Sequence, residues 1–154
     1  MKKKKEKIIK KITEELLKKM MFDEATVEIK KQENSDGFLV TIQVDDPSRL
    51  IGQSGSNLND FQKILRLLIL KKDPELPPVL VDINNYRIKR EDFLKELAIE
   101  IAEQVIKTQK SVMLQPMSSY ERRIIHLELA KNLEIVTESV GEGANRRLMI
   151  KPHI

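Results

Sequence analysis

The stretch LIGQSGSNL, Leu50 to Leu58, sets two glycines around two small polar residues, Gln53 and Ser54. Ahead of it runs GFLVTIQV (37–44), β-branched and alternating, which reads as a strand. Behind it, Leu58, Phe61, Ile64, Leu65 and Leu68 recur at helical spacing. DPSRLIG, started by Asp46 and Pro47, reads as a short helical turn. Gly52 and Gly55 therefore lie between two helices, with Ser56 expected to cap the second. Without a Cβ, a glycine lets a phosphate approach the main chain closely. The N–H groups of such a loop, and of the helix that follows, offer partial positive charge to an anion. The same spacing also suits a tight helix–helix turn with no ligand at all.

Working outward, Ile8, Ile9, Ile12, Leu16, Leu17 and Met20 mark a first helix from about Glu6 to Met21, with the lysines of positions 2–5 as a frayed, solvated start. ATVEIKKQ (25–32) and GFLVTIQV form a hairpin across NSDG (34–37). DPELPP (73–78) closes the helix after the glycine loop, and VLVDINNY (79–86) is a third strand. The order is α-β-β-α-α-β.

A second unit follows RIKRED (87–92). Leu94, Leu97, Ala98, Ile101 and Val105 mark a long helix, and SVMLQP (111–116) a strand. SSYE (118–121) is a capping box opening another helix. LEIVTESV (133–140) and RRLMIKP (146–152) are two further strands joined by GEGAN (141–145). In SSYERRIIHLEL, Ser119, Arg122, Arg123 and His126 share one arc of a helix. Arginine is a forked, permanently charged donor to phosphate, and a histidine one turn away donates to phosphate or stacks on a base. A surface pair satisfied by Glu or backbone carbonyls is the alternative. Arg146 and Arg147, leaving the GEGAN loop, widen the basic surface if the fold brings them close.

The 154 residues suffice for one domain or two small ones, and 40% hydrophobic with 34% charged residues suits a globular chain with a charged surface. A net charge of +4 and a pI near 9.2 point mildly to polyanions. The absence of cysteine excludes disulfides, thiolate metal sites and a cysteine nucleophile. His126 and His153 are the only histidines, too few and too far apart to argue for a metal. No Ser-His-Asp set or carboxylate pair stands out, so neither catalysis nor a cofactor is expected. GEGANR mimics a dinucleotide loop, but Arg146 takes the third glycine position and the segment joins strand to strand. Aromatics at 4% leave no base-stacking platform. Binding should rest on phosphate contacts, with modest sequence specificity and strong salt dependence. No apolar run approaches the ~18 residues of a membrane span, so no membrane insertion is expected and the chain reads as cytoplasmic.

The glycine loop in its α-β-β-α-α-β frame resembles a type II KH domain, an α+β fold on a mixed three-stranded sheet. KH loops clamp the backbone of about four nucleotides. The family often carries a basic residue in the loop; here Gln53 and Ser54 bring no charge, and Arg49, Lys63 and Arg66 are the candidates to compensate. QPMSSYERRIIH (115–126) with TESVGEGANRR (137–147) resembles the RxxxH (Arg-x-x-x-His) domain of the bacterial Jag (SpoIIIJ-associated) proteins. KH followed by RxxxH, over about Ile8 to Pro152, is the order of that family. The resemblance implies a KH domain over 1–88 and, over 89–154, an RxxxH domain of two helices on a small three-stranded sheet. It also implies single-stranded RNA (or DNA) binding by Arg49, Gly52, Gln53, Ser54, Gly55, Arg122, Arg123, His126, Arg146 and Arg147. Post-transcriptional regulation tied to cell elongation and division follows from the same likeness. So does a small KH-only protein, or a second copy, as partner. The competing reading is a protein-interaction module that dimerises through its KH domain. Family members commonly carry a further N-terminal domain, absent from this sequence, so a short or truncated member is expected.

Overall fold

The computed structural model describes residues 1–154 and divides into two compact units, Met1–Arg87 and Ile88–Ile154. In the first, helix α1 (Lys2–Lys19) buries Ile9, Thr13 and Leu17 on one face. It starts four residues before the expected Glu6. The lysine run is wound into the helix rather than frayed, in keeping with the good helix propensity of lysine. Thr13, fully buried, donates its hydroxyl to the Ile9 carbonyl at 2.8 Å, which satisfies it within the helix. Strands β1 (Thr26–Lys31) and β2 (Phe38–Gln43) pair antiparallel, and β2 pairs parallel with β3 (Val79–Ile83), in the order β1-β2-β3. A parallel pair needs a crossover. Helix α2 (Ser48–Ile51), a 3-10 turn (Gln53–Gly55) and α3 (Ser56–Lys72) provide it, which sets the glycine loop inside the crossover.

Along β2, buried and half-buried residues alternate, so one face meets the helices. Val40, Ile42, Val81 and Ile83 pack there with Leu58 and Leu65 of α3 and Ile9 and Leu17 of α1. One expectation shifts at β3. It stops at Ile83, because Asn84 and Asn85 take left-handed φ of 50° and 57°. The Asn84 amide then clasps Val44, accepting from its N–H at 2.9 Å and donating to its carbonyl at 2.8 Å.

RIKRED, expected as a boundary, forms the first turns of α4 (Tyr86–Thr108). Asp82 fixes that start by accepting the Arg87 N–H at 3.2 Å. In the second unit, α4 buries Leu94, Ala98, Ala102 and Val105 against Ile125 and Leu129 of α5 (Ser119–Leu129) and Leu148 and Ile150 of β6 (Arg147–Pro152). The sheet order is β4-β6-β5, antiparallel throughout, with β5 at Ile135–Val140. SVMLQP contributes only the two-residue strand β4 (Val112–Met113), although Leu114 N–H still reaches the Leu148 carbonyl at 2.9 Å. Pro116 has no N–H with which to extend the ladder. This is the mixed α+β architecture the sequence indicates.

Candidate nucleic-acid interface

The glycine loop is held open by its backbone. Gly52 sits at φ 73°, ψ −178°, a region essentially reserved for glycine, and Gly55 at φ 79°, ψ 14°. A Cβ on Gly52 would lie 2.6 Å from Asn57 Cγ, and one on Gly55 2.9 Å from Tyr86 Cε1. Asn57 cannot readily yield, because its Nδ2 donates to the Arg49 carbonyl at 2.8 Å and closes the last turn of α2. Nothing in the sequence singles out Asn57 for this task. Gln53 and Ser54 stand exposed between the glycines, Ser54 at φ 52°.

Gly55, rather than Ser56, occupies the N-cap of α3, and no side chain caps that helix. Ser56 falls in the first turn because the left-handed Gly55 supplies the change of direction. The outward N–H groups of a first helical turn are the natural partners of an anion. Arg49 is exposed beside the loop. Of the other two compensating candidates, Lys63 lies 3.7 Å from Asp60, and Arg66 turns to β3, where its Nε donates to the Val79 carbonyl at 2.9 Å. Before the loop, Asp46 accepts both the N–H and the hydroxyl of Ser48, at 3.2 and 2.7 Å. Those bonds, the hydroxyl's first, hold its carboxyl below the ordinary carboxylate value.

In the second unit, Ser118 caps α5 by accepting the Glu121 N–H at 3.2 Å. The return half of the expected capping box is replaced: the Glu121 carboxylate, 8% exposed, accepts instead from Arg90 Nε at 2.8 Å. Arg122 is half-buried and donates through Nη1 to the Met117 carbonyl at 3.3 Å, while Arg123 is exposed. His126, also exposed, shares a 2.6 Å hydrogen bond between Nδ1 and Thr137 Oγ1. Its Nε2 is left as the nitrogen open to a ligand.

Two residues farther along β5, Ser139 Oγ accepts from Arg146 Nε at 2.8 Å. Thr137 and Ser139 pair with the buried Ile150 and Leu148, so they share the face of the sheet turned to the helices. His126 and Arg146 are thus brought to neighbouring anchors on one strand. Arg147 is not brought with them. In register it shares the parity of Met149 and Lys151, on the opposite face, and its Nε turns back to the Asn145 carbonyl at 3.1 Å. Sequence reasoning missed Thr137 and Ser139, whose only signal was their alternation in a strand. No group of three or more His, Asp or Glu side chains is arranged to hold a metal ion. No helix is long and apolar enough to cross a membrane.

A model of the KH domain matches residues 7–93, and one of the Arg-x-x-x-His (RxxxH) domain matches residues 92–152. The RNA-binding protein KhpB of Bacillus subtilis (strain 168) is 46% identical over 103 residues, covering 66% of this chain and 50% of that protein. The protein of that name from Clostridium symbiosum is 36% identical over 124 residues, covering 80% of this chain and 56% of its own length. A third, from Lactiplantibacillus plantarum, is 37% identical over 101 residues, covering 66% and 31%. The chain spans about half the length of the first two of these relatives.

Proposed function

Because the chain belongs to the Jag family, in which a KH domain precedes an RxxxH domain, we propose that it binds single-stranded RNA through phosphate contacts. We assign it to the cytoplasm, as a post-transcriptional regulator tied to bacterial cell elongation and division, acting by binding rather than catalysis. The observation that carries the reading is the loop at Gly52–Gly55. Two positive-φ glycines hold Gln53 and Ser54 outward at the start of an uncapped helix. Arg49 beside that loop, Arg122 and Arg123 in the first turns of α5, His126 farther along that helix and Arg146 beside the end of β5 add donors suited to phosphate. Arg147 contributes to a separate patch on the other face of its sheet.

The test is a titration of labelled single-stranded RNA with the whole chain across a salt series. RNA binding through phosphates gives a linear fall of log affinity with log salt, about 0.7 per contact on a single strand. Affinity independent of salt, or no binding, refutes it.

One observation favours the reading as a protein-interaction module. Ile64, Leu67 and Leu68 of α3 are 48%, 67% and 37% exposed, at helical spacing on one face. We assign this face to association with a second KH domain, of another copy or of a small KH-only protein. Light scattering on wild type and Leu67→Asp tests it. The wild type alone, or mixed with such a partner, should exceed monomer mass, and the variant should not. Equal monomer masses throughout refute the assignment.

A further inference from the structure

Helix α5 carries one ring, and that ring faces solvent. Tyr120 is 65% exposed in the first turn, and its hydroxyl makes no hydrogen bond within the fold. A lone exposed aromatic needs no explanation; its neighbours distinguish this one. His126, Arg123 and Tyr120 stand at steps of three along α5, all exposed. Each step turns about 60° around the helix and rises about 4.5 Å. The three therefore form one oblique ridge, of the kind side chains make on a helix surface. One end is anchored, where His126 Nδ1 and Thr137 Oγ1 share their 2.6 Å bond on the edge strand β5. From there the ridge crosses the outer face of α5, past Arg123, to Tyr120. The buried residues Glu121, Ile125 and Leu129 lie on the inner face. The other exposed ring of this unit, Phe93, is already faced by the Arg90 guanidinium, 5.4 Å from its centre.

The groups on this ridge match the two parts of a nucleotide. Arg123, unpaired within the fold, and the open Nε2 of His126 are donors to phosphate. One step farther on, the Tyr120 ring offers a flat apolar face, and the base attached to a held phosphate is the flat body that covers it. The composition leaves no platform of several rings, but one ring beside two donors suffices for one base. On the premise that this chain binds single-stranded RNA as proposed above, we infer that Tyr120 is a base-stacking residue, which holds one nucleobase while Arg123 and His126 hold the adjoining phosphate. Every base has a π-face, so the contact tolerates any sequence. It adds affinity that salt does not screen.

The experiment uses the whole chain and a labelled single-stranded oligouridylate, with affinities read by fluorescence anisotropy across a salt series. Tyr120→Ala should weaken binding about 5- to 150-fold, the range for one stacked base, and keep the salt slope of wild type. Tyr120→Phe keeps the ring and should bind like wild type. Tyr120→Leu keeps apolar bulk without a ring and should bind like Tyr120→Ala. Circular dichroism checks the fold of each. A second readout needs no variant of the RNA. The chain has two tyrosines and no tryptophan, so its intrinsic emission comes from Tyr120 and the half-buried Tyr86 alone. Saturating unlabelled RNA should quench it, and part of the quench should vanish in Tyr120→Phe.

Equal affinity of wild type and folded Tyr120→Ala overturns the inference while leaving salt-dependent RNA binding intact. So does an unchanged quench in Tyr120→Phe, or a loss of affinity that Tyr120→Phe shares, which assigns the contact to the hydroxyl. Failure of wild type to bind the RNA at any salt overturns the RNA-binding reading and this one together.

Discussion

Charge placed on the tip of the glycine loop should weaken RNA binding without disturbing the fold. Gly52 itself is the wrong site for the test. Any side chain there meets Asn57 and forces φ 73°, ψ −178° on a non-glycine residue, a strain of about 1–3 kcal/mol. Gln53→Glu/Ser54→Asp avoids this. Both side chains are exposed, Gln to Glu changes no volume, and Ser54 at φ 52°, ψ 28° lies where Asp is tolerated. A carboxylate about 6 Å from a phosphate in water opposes it by about 0.7 kcal/mol. Two of them lower affinity about tenfold at low salt, and the loss shrinks as salt screens the repulsion. Each phosphate contact released should also flatten the log–log salt slope by about 0.7. Anisotropy of a labelled single-stranded RNA from low to moderate salt measures both. Ser54→Asn, neutral on the same backbone, serves as control and should bind like wild type. If the doubly charged variant, folded by circular dichroism, matches this control across the salt series, the loop does not touch phosphate.

Arg123→Ala should flatten the salt slope by about 0.7 without changing stability. Arg122→Ala should also lower stability by about 0.5–1.5 kcal/mol, through loss of its bond to the Met117 carbonyl; equal melting of the two variants argues against this division. Thr137→Val removes the anchor of His126 Nδ1 and should weaken RNA binding by about 2- to 10-fold, and His126→Ala in that background should add little; fully additive losses in a double-mutant cycle refute the coupling. Asp46, whose folded value is depressed by Ser48, contributes stability above its ordinary value of 3.8 that is lost as pH falls through the lower folded value. The Ser48 amide resonance should therefore titrate with a midpoint below 3.8 and stop titrating in Asp46→Asn; a midpoint at or above 3.8 contradicts the depression.

The glycine loop was legible because its chemistry is local: two glycines, a helical stripe behind and a strand ahead all lie within residues 37–68. The ends of helices were less so. Lysines 2–5 and RIKRED carry no apolar period, and only the structure reveals them as helix. Glu121 reads as half of a capping box, yet its carboxylate is claimed by Arg90, 31 positions earlier, a pairing that no local pattern encodes. Arg146 and Arg147 look alike in sequence. Strand register separates them, since consecutive residues point to opposite faces. The tie between Arg66 and Val79 was hidden for a similar reason, because it depends on how a helix lies against a strand edge.

Closing the rim of β3 also bears on aggregation. A bare outer strand is a template on which another chain can add, by swapping or by fibril growth. On β3, Gln62, Arg66 and Arg87 already occupy the Val79 carbonyl and the Val81 N–H and carbonyl, so an incoming strand would have to displace them. At the far rim, β1 presents exposed Glu28, Lys30 and Lys31, charges that resist the same event. Sheet extension is thereby disfavoured at both rims, which leaves the exposed apolar helix surface at Ile64, Leu67 and Leu68, proposed above for association, as a contact that adds no strand to the sheet.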